Sequence, residues 1–287
     1  MIKCIATDMD GTLLTPDQRV TEENIQAIKQ AQSLGIEVVI ATGRSYQEAT
    51  FVLEDTGLIV PFICVNGAEV RSSQGEVITS NPLDKELAKA ANHILDEHEI
   101  YYEVYTNNGS YTSDLEKSIT TLANIITSAN PDINIEYVRK RAEERLLKGL
   151  VHEIENYDLL IESNDHEIYK MLAFANRKSQ LTSSATNLDK IQGLSVSSSG
   201  YNNIELTSVH AQKGLALEAF VNKRGISLED TMAIGDNFND LSMLKKVGRA
   251  VAMGNAEEKI KAECHYVTAT NMESGVGKAI LEAIRRN

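Results

Sequence analysis

Two carboxylates one residue apart, Asp8 and Asp10, close an apolar run (Ile2, Cys4, Ile5, Ala6) and lead into Gly11 and Thr12. The run reads as a short buried strand, the glycine permits a sharp turn, and the threonine hydroxyl can hold that turn by hydrogen bonding. Asp-x-Asp-Gly also opens calcium loops, but an EF-hand fits poorly: Arg19 stands where the loop needs Glu, and a strand, not a helix, leads in. Three more places carry polar residues at a strand end or helix start: Thr42-Gly43-Arg44, Lys213, and Gly235-Asp236-Asn237-Phe238-Asn239-Asp240. Singly these read as a helix lead-in, a surface lysine and a turn. Together they supply phosphoryl transfer. A carboxylate can attack phosphorus and form an acyl phosphate. Mg²⁺ takes a few oxygen ligands and keeps its waters and the substrate phosphate, which suits Asp8, the backbone carbonyl of Asp10, and Asp236. Lys213 and the Thr42 hydroxyl can meet the developing phosphoryl charge.

These residues need elements to carry them. Thr21 opens a helix with apolar positions at Ile25, Ile28, Ala31 and Leu34, stopped by Gly35. Glu37 to Thr42 and Pro61 to Asn66 read as strands buried on both faces, separated by a helix that Ser45 and Glu48 cap. This alternation predicts a parallel sheet. The pattern then changes. Val70 to Thr79 reads as a hairpin, and a helix follows over about 84–97. Ile100 to Tyr105 and Ser110 to Thr112 flank Asn107-Asn108-Gly109, a strong hairpin signal. Helices are expected near 114–129, 141–156 and 178–191, with a strand from Ile168 to Phe174. Leu194 to Ser199 and Asn203 to Thr207 form a predicted hairpin across Gly200-Tyr201-Asn202. From Gln212 the parallel pattern resumes: a helix to Gly225, strand Thr231–Asp236, helix Asn239–Val247, strand Arg249–Met253, a helix near 256–263, strand Tyr266–Thr268, and a closing helix from Gly275. The expected fold is α/β: a Rossmann-like core from residues 1–83 and 209–287, its parallel sheet flanked by helices, interrupted by an α+β insertion at 84–208.

Composition narrows the setting. With 287 residues there is room for about two domains, and 24% charged with 42% apolar residues suits a soluble globular chain. A net charge of −13 argues against nucleic acid or an anionic membrane as partner. Neither a membrane-length apolar run nor a signal-peptide pattern is read, and Cys4, Cys64 and Cys264 form neither a disulfide framework nor a metal site. A cytoplasmic location is the expectation.

Asp8-Met9-Asp10-Gly11-Thr12, Thr42-Gly43, Lys213 and Gly235-Asp236-x-x-Asn239-Asp240 resemble, over the whole chain, the four motifs of the haloacid dehalogenase-like superfamily. The resemblance implies that Asp8 is the nucleophile and that Asp10 protonates the leaving group and then activates water. It implies Mg²⁺ as cofactor, with Asp8, Asp10 and Asp236 as its ligands, and phosphate contacts from Met9, Thr42, Gly43, Arg44, Lys213 and Asn239. Dehalogenase members lack the second aspartate, so Asp10 favours phosphotransfer. Only 34 positions separate Asp8 from Thr42, whereas 171 separate Thr42 from Lys213, so the insertion looks like the C2-type cap of the Cof-type sugar-phosphatase group, subfamily IIB. Such a cap is implied to close over the core and choose the leaving group. The string Ala252-Met253-Gly254-Asn255-Ala256 is similar to that group as well.

Several assignments stay open at this level. Arg44 is a substrate contact or a surface ion pair. Asp240 is a water-mediated metal ligand or a brace for Lys213. Asn255 is an N-cap or a ligand contact, and Tyr101, Tyr102, Tyr105 and Tyr111 are cap core or pocket lining. The expected activity is a Mg²⁺-dependent phosphatase that hydrolyses a small phosphorylated metabolite, a sugar phosphate or a phosphorylated cofactor or precursor, through an aspartyl phosphate. The alternatives are a phosphomutase of the same superfamily and a non-catalytic sugar-phosphate binder. No motif fixes the substrate or the oligomeric state.

Overall fold

The computed structural model describes residues 1–129, 135–175, 178–198 and 203–287. The chain divides into two compact units, Met1–Ser80 with His210–Asn287, and Asn81–Val209.

In the first unit, apolar runs become an eight-stranded sheet. Its order is Tyr266–Val267, Arg249–Ala252, Thr231–Gly235, Cys4–Thr7, Glu37–Ala41, Phe62–Cys64, Glu69–Arg71 and Val77–Ser80. The first six are parallel, and the last two form the expected hairpin, which extends the same sheet antiparallel. Cys4–Thr7 is central, with every residue buried. From it the chain winds outward twice, toward Glu37–Ala41 and toward Thr231–Gly235, so the strand order reverses on either side of Asp8. That reversal leaves a crevice beyond the carboxyl ends of these strands, where ligands bind in open α/β sheets.

Helices flank the sheet and bury the faces their periodicity dictates. Glu22–Ser33 is capped by the Thr21 hydroxyl, which accepts the Asn24 N–H, and its buried stripe is Ile25, Ala27, Ile28 and Ala31. Fully burying a side chain such as Ile28 contributes about 1.5–3 kcal/mol. This helix packs along Gly275–Arg286. The Ser45–Glu48 capping box opens the helix Tyr46–Leu53. Of the expected boundaries that shift, two lie at the site. The strand expected to reach Asn66 stops at Cys64, because Val65, Asn66 and Gly67 all take positive φ. Helix Asn239–Val247 is instead a 3₁₀ turn, Phe238–Asp240, followed by the short helix Leu241–Leu244.

The second unit carries a six-stranded sheet ordered Leu194–Ser197, Asn203–Ser208, Ile168–Phe174, Tyr101–Thr106, Gly109–Thr112 and Val151–Glu153. Its pairs are antiparallel apart from the last. Tyr102, Val104, Met171, Ala173, Ile204 and Leu206 alternate onto one face and pack with Leu95, Leu160 and Leu188. The helix expected over 141–156 is corrected: the chain forms Ile135–Leu147, a strand Val151–Glu153 and a second helix Tyr157–Glu162. Gly149 is the cause. At φ +66 it takes a left-handed C-cap conformation, and Leu150 N–H closes on the Arg145 carbonyl at 2.9 Å, ending the helix. The predicted hairpin turn at Gly200-Tyr201-Asn202, with Ser199, lies outside the described residues. Among the described residues no helix is long and apolar enough to cross a membrane.

Candidate active site

Pairing register decides which residues meet. Thr7 lies beside Ile40 on one side and Ile234 on the other. One residue later the Asp8 N–H donates to the Ile234 carbonyl at 2.9 Å, so Asp8 leaves the sheet alongside Gly235 and Asp236. Residues Met9–Leu13 form a five-residue turn closed by Leu14 N–H on the Met9 carbonyl at 2.8 Å. Gly11 makes that turn possible for two reasons. Its φ is +76°, and a Cβ there would stand 2.4 Å from Asp236 Oδ2. Thr12 donates its hydroxyl to Asp236 Oδ1 at 2.7 Å, so it holds the carboxylate that follows the partner strand and not the turn it was expected to close.

Lys213 begins the helix Lys213–Asn222 and is fully buried. Its Nζ donates to Asp8 Oδ1 at 2.6 Å and to Asp240 Oδ1 at 2.7 Å. Asp240 Oδ2 accepts the backbone N–H groups of Asp236 and Asn237 at 3.0 and 3.1 Å. Both Asp240 oxygens are thus engaged, which makes Asp240 the brace of Lys213 and of the Asp236 loop. Thr42 is fully buried, donates its N–H to the Ile63 carbonyl at 2.8 Å, and accepts the Arg44 N–H on Oγ1 at 3.1 Å. The Met9 side chain is fully buried too, so what it can offer a ligand is its peptide group.

Asp10 points differently from Asp8. Its carboxylate, about half exposed, receives Arg44 Nε at 2.7 Å and Nη2 at 2.5 Å, a bidentate fork. The same Nη2 also donates to Gln18 Oε1. Of the two readings for Arg44 the structure thus shows an ion pair, and its partner is Asp10. Gln18, at φ +62°, is a neighbour that no sequence signal marked. Of the two readings for Asn255 the N-cap is not the one formed: Nδ2 donates to the Gly11 carbonyl at 2.8 Å and Oδ1 accepts the Asn271 N–H at 3.0 Å, while Glu257 occupies the N-cap position of the helix Glu258–Lys261 without a side-chain capping bond. Asn239 donates to Asn66 Oδ1 at 3.1 Å. The tyrosines pack within the second unit: Tyr102 stacks near Tyr157, Tyr101 on Phe174, and Lys170 Nζ lies 4.3 Å from the Tyr105 ring.

Charge in this cluster is out of balance. One oxygen each from Asp8, Asp236 and Asp240 lies within 4.8 Å of the others, and Lys213 is the cation in contact with Asp8 and Asp240. Burial, then repulsion from Asp240 and Asp236, pushes the Asp8 carboxyl well above the usual range against the pull of Lys213. Burial and Asp240 likewise push Asp236 up to about 7, opposed by the Thr12 hydrogen bond and by Lys213. Asp10 moves the other way: partial desolvation would raise its carboxyl even though about half of it stays exposed, but the Arg44 guanidinium holds it below the ordinary value. Excess carboxylate on all-oxygen donors is what a hard divalent cation such as Mg²⁺ relieves, so the residues fit that ion.

The imbalance has a measurable consequence. An acid whose pKa is raised on folding holds its proton more tightly when folded. Its contribution to stability is therefore complete below about 3.8 and is lost as pH rises through about 7. In the presence of chelator, wild type should lose stability relative to Asp236→Asn between those pH values. Denaturant unfolding of both proteins from pH 4 to pH 8 reads the difference; a gap independent of pH would refute it.

The profile of the haloacid dehalogenase-like hydrolases matches residues 5–280. The phosphatase YwpJ of Bacillus subtilis is 35% identical over 277 residues, covering 96% of this chain and 97% of its own. The B. subtilis 5-amino-6-(5-phospho-D-ribitylamino)uracil phosphatase YwtE is 33% identical over 276 residues, 96% of each chain. A solved haloacid dehalogenase-like hydrolase from B. subtilis superposes with a TM-score of 0.89 at 34% identity, over 98% of this chain and 99% of that one.

Proposed function

Because the chain belongs to the haloacid dehalogenase-like hydrolases and is a phosphoric monoester hydrolase of that family, we propose that it hydrolyses a small phosphorylated metabolite in a Mg²⁺-dependent reaction through a phosphoryl-Asp8 intermediate. The observation that carries this reading is the buried Asp8 carboxylate, held by Lys213 and set against Asp236 at the switch point of the sheet. The name of the relative YwtE supports a small phosphate ester as substrate class.

Asp8 and Asp236, with the Asp10 carbonyl, would hold Mg²⁺, which when bound neutralises the carboxylates and draws charge from a phosphoryl oxygen. Lys213 fixes the Asp8 carboxylate and faces the phosphoryl group with positive charge. The Thr42 hydroxyl, the peptide N–H groups of Met9 and Gly43, and the Asn239 amide serve the phosphoryl oxygens. An Asp8 oxygen attacks phosphorus, the ester P–O bond breaks, and the leaving oxygen takes its electron pair together with a proton from Asp10. Asp10 then takes a proton from water, whose oxygen attacks phosphorus. The bond between phosphorus and Asp8 breaks and the carboxylate returns. In the described state Arg44 holds Asp10 anionic. An entering phosphate dianion offers Arg44 another partner, and release of the fork lets Asp10 carry the proton it must donate.

The reading is tested on a panel of sugar, polyol and heteroaromatic phosphate esters, with Mg²⁺ and after chelation. Phosphate release that requires the metal is expected. Isomerised monophosphate in place of free phosphate would instead identify a mutase.

A further inference from the structure

Three consecutive residues after the strand Phe62–Cys64 adopt positive φ: Val65 at 47°, Asn66 at 56° and Gly67 at 104°. All three are buried. A β-branched residue in the left-handed region is a costly outlier that persists only where its surroundings over-determine it, and such strain gathers at functional sites. Here the surroundings are three separate pieces of the candidate site. Val65 N–H donates to the Arg44 carbonyl and Asn66 N–H to the Thr42 carbonyl, both at 2.9 Å. Gly67 lies against the residue before Lys213: a Cβ there would stand 2.5 Å from the Gln212 carbonyl oxygen. Asn66 Oδ1 accepts the Asn239 amide at 3.1 Å and sits 3.2 Å from where a Gly43 Cβ would be. The turn therefore touches the Thr42 loop, the start of the Lys213 helix and the Asp236 loop at once.

We propose that Asn66 is a positioning residue for phosphoryl transfer, fixing Asn239 relative to Gly43 through its side-chain oxygen while its left-handed backbone ties Thr42 in place. Asparagine suits both tasks, since it tolerates the left-handed conformation and presents an amide. The inference rests on the phosphatase reading, in which Gly43 and Asn239 serve the phosphoryl oxygens.

Asn66→Gly removes the side chain and keeps the backbone conformation, so its melting temperature should stay within about 5 °C of wild type. Its kcat/KM for an aryl phosphate should fall ~10–100-fold, as for other groups that orient a site from behind. Asn239→Ala, which also removes a proposed donor to the phosphoryl oxygens, should fall at least as far, and the double variant no further than Asn239→Ala alone, because Asn66 acts through Asn239. Wild-type kcat/KM in Asn66→Gly, or losses that multiply in the double variant, would overturn the proposal. Asn239→Ala leaves the strained turn untouched; if Asn66→Gly does not fold, wild-type kcat/KM in Asn239→Ala overturns the linkage by itself. Inorganic phosphate binding, measured by calorimetry on the same proteins, reads the linkage without turnover. An inactive wild type would thus sink the functional reading, while the phosphate affinities still decide on Asn66.

Discussion

Asp8→Asn should lower kcat/KM for an aryl phosphate by about 10⁴-fold or more while leaving the metal-free protein at least as stable as wild type. The two halves of this expectation come from the same cluster. An amide oxygen is a poor nucleophile, so the proposed acyl phosphate does not form. The same change removes a carboxylate that Asp240 and Asp236 repel, and Lys213 keeps Asp240 as its ionic partner 2.7 Å away. Kinetics at saturating Mg²⁺ and denaturant unfolding in chelator measure the two halves separately. A variant that loses stability but retains turnover would make Asp8 a structural counter-ion and not the nucleophile. The stabilisation that Mg²⁺ gives the protein should shrink in Asp8→Asn, because one of its proposed ligands is gone.

Lys213→Met carries the second large effect, and it has the opposite stability sign. Lys213 and Asp240 are fully buried and Asp8 nearly so, so removing the ammonium leaves carboxylates facing each other with no cation. Breaking a buried pair from one side costs about 3–5 kcal/mol, and Met fills much of the volume without restoring the charge. Turnover should fall about 10³-fold, since Asp8 loses its holding group and the phosphoryl oxygens lose a donor. Acidification should recover part of the lost stability, because Asp8 and Asp236 take up protons more readily than ordinary carboxyls. Denaturant unfolding at pH 5 and pH 8 checks this: a penalty equal at both values would show that charge is not its cause.

How much of this could be read beforehand differs residue by residue. Apolar strands ending in Asp8, Thr42 and Asp236 are legible, because a parallel strand buried on both faces is a continuous apolar run that stops abruptly. Lys213 is legible only in combination. What stayed hidden depends on side chains that meet across long separations. The fork from Arg44 to Asp10 joins two loops, and neither residue type nor spacing distinguishes it from a surface ion pair or a substrate contact. Asn66 looked like an ordinary Asn-Gly strand end; its significance comes from the left-handed backbone that turns it toward Asn239. Asn255 directly precedes the stretch that reads as a helix, which would make it the N-cap, yet the helix starts only at Glu258 and the Asn255 amide donates to the Gly11 carbonyl. The misplaced helix over 141–156 has a simpler origin. Its charged, Leu-containing stretch continues past Lys148, and the stop at Gly149 outweighs that propensity.

Arg44 also refines the roles of the two aspartates. Catalysis as proposed asks Asp8 to be ionised and Asp10 to hold a proton, whereas in the described state Asp8 is pushed up and Asp10 down. The proposed Mg²⁺ beside Asp8 and release of the Arg44 fork from Asp10 would reverse both directions. In the described state the Arg44 fork keeps Asp10 unprotonated, and under the proposed mechanism a phosphate competing for the guanidinium would free Asp10 to take a proton.

The central claim is that phosphorus passes through Asp8. The stereochemical course at phosphorus tests it most directly, using a substrate whose phosphoryl group is made chiral with oxygen isotopes and sulfur. Transfer to Asp8 and then to water inverts the centre twice, so net retention of configuration is expected. Net inversion would mean that water attacks the substrate in a single displacement, and would contradict the assignment of Asp8 as nucleophile.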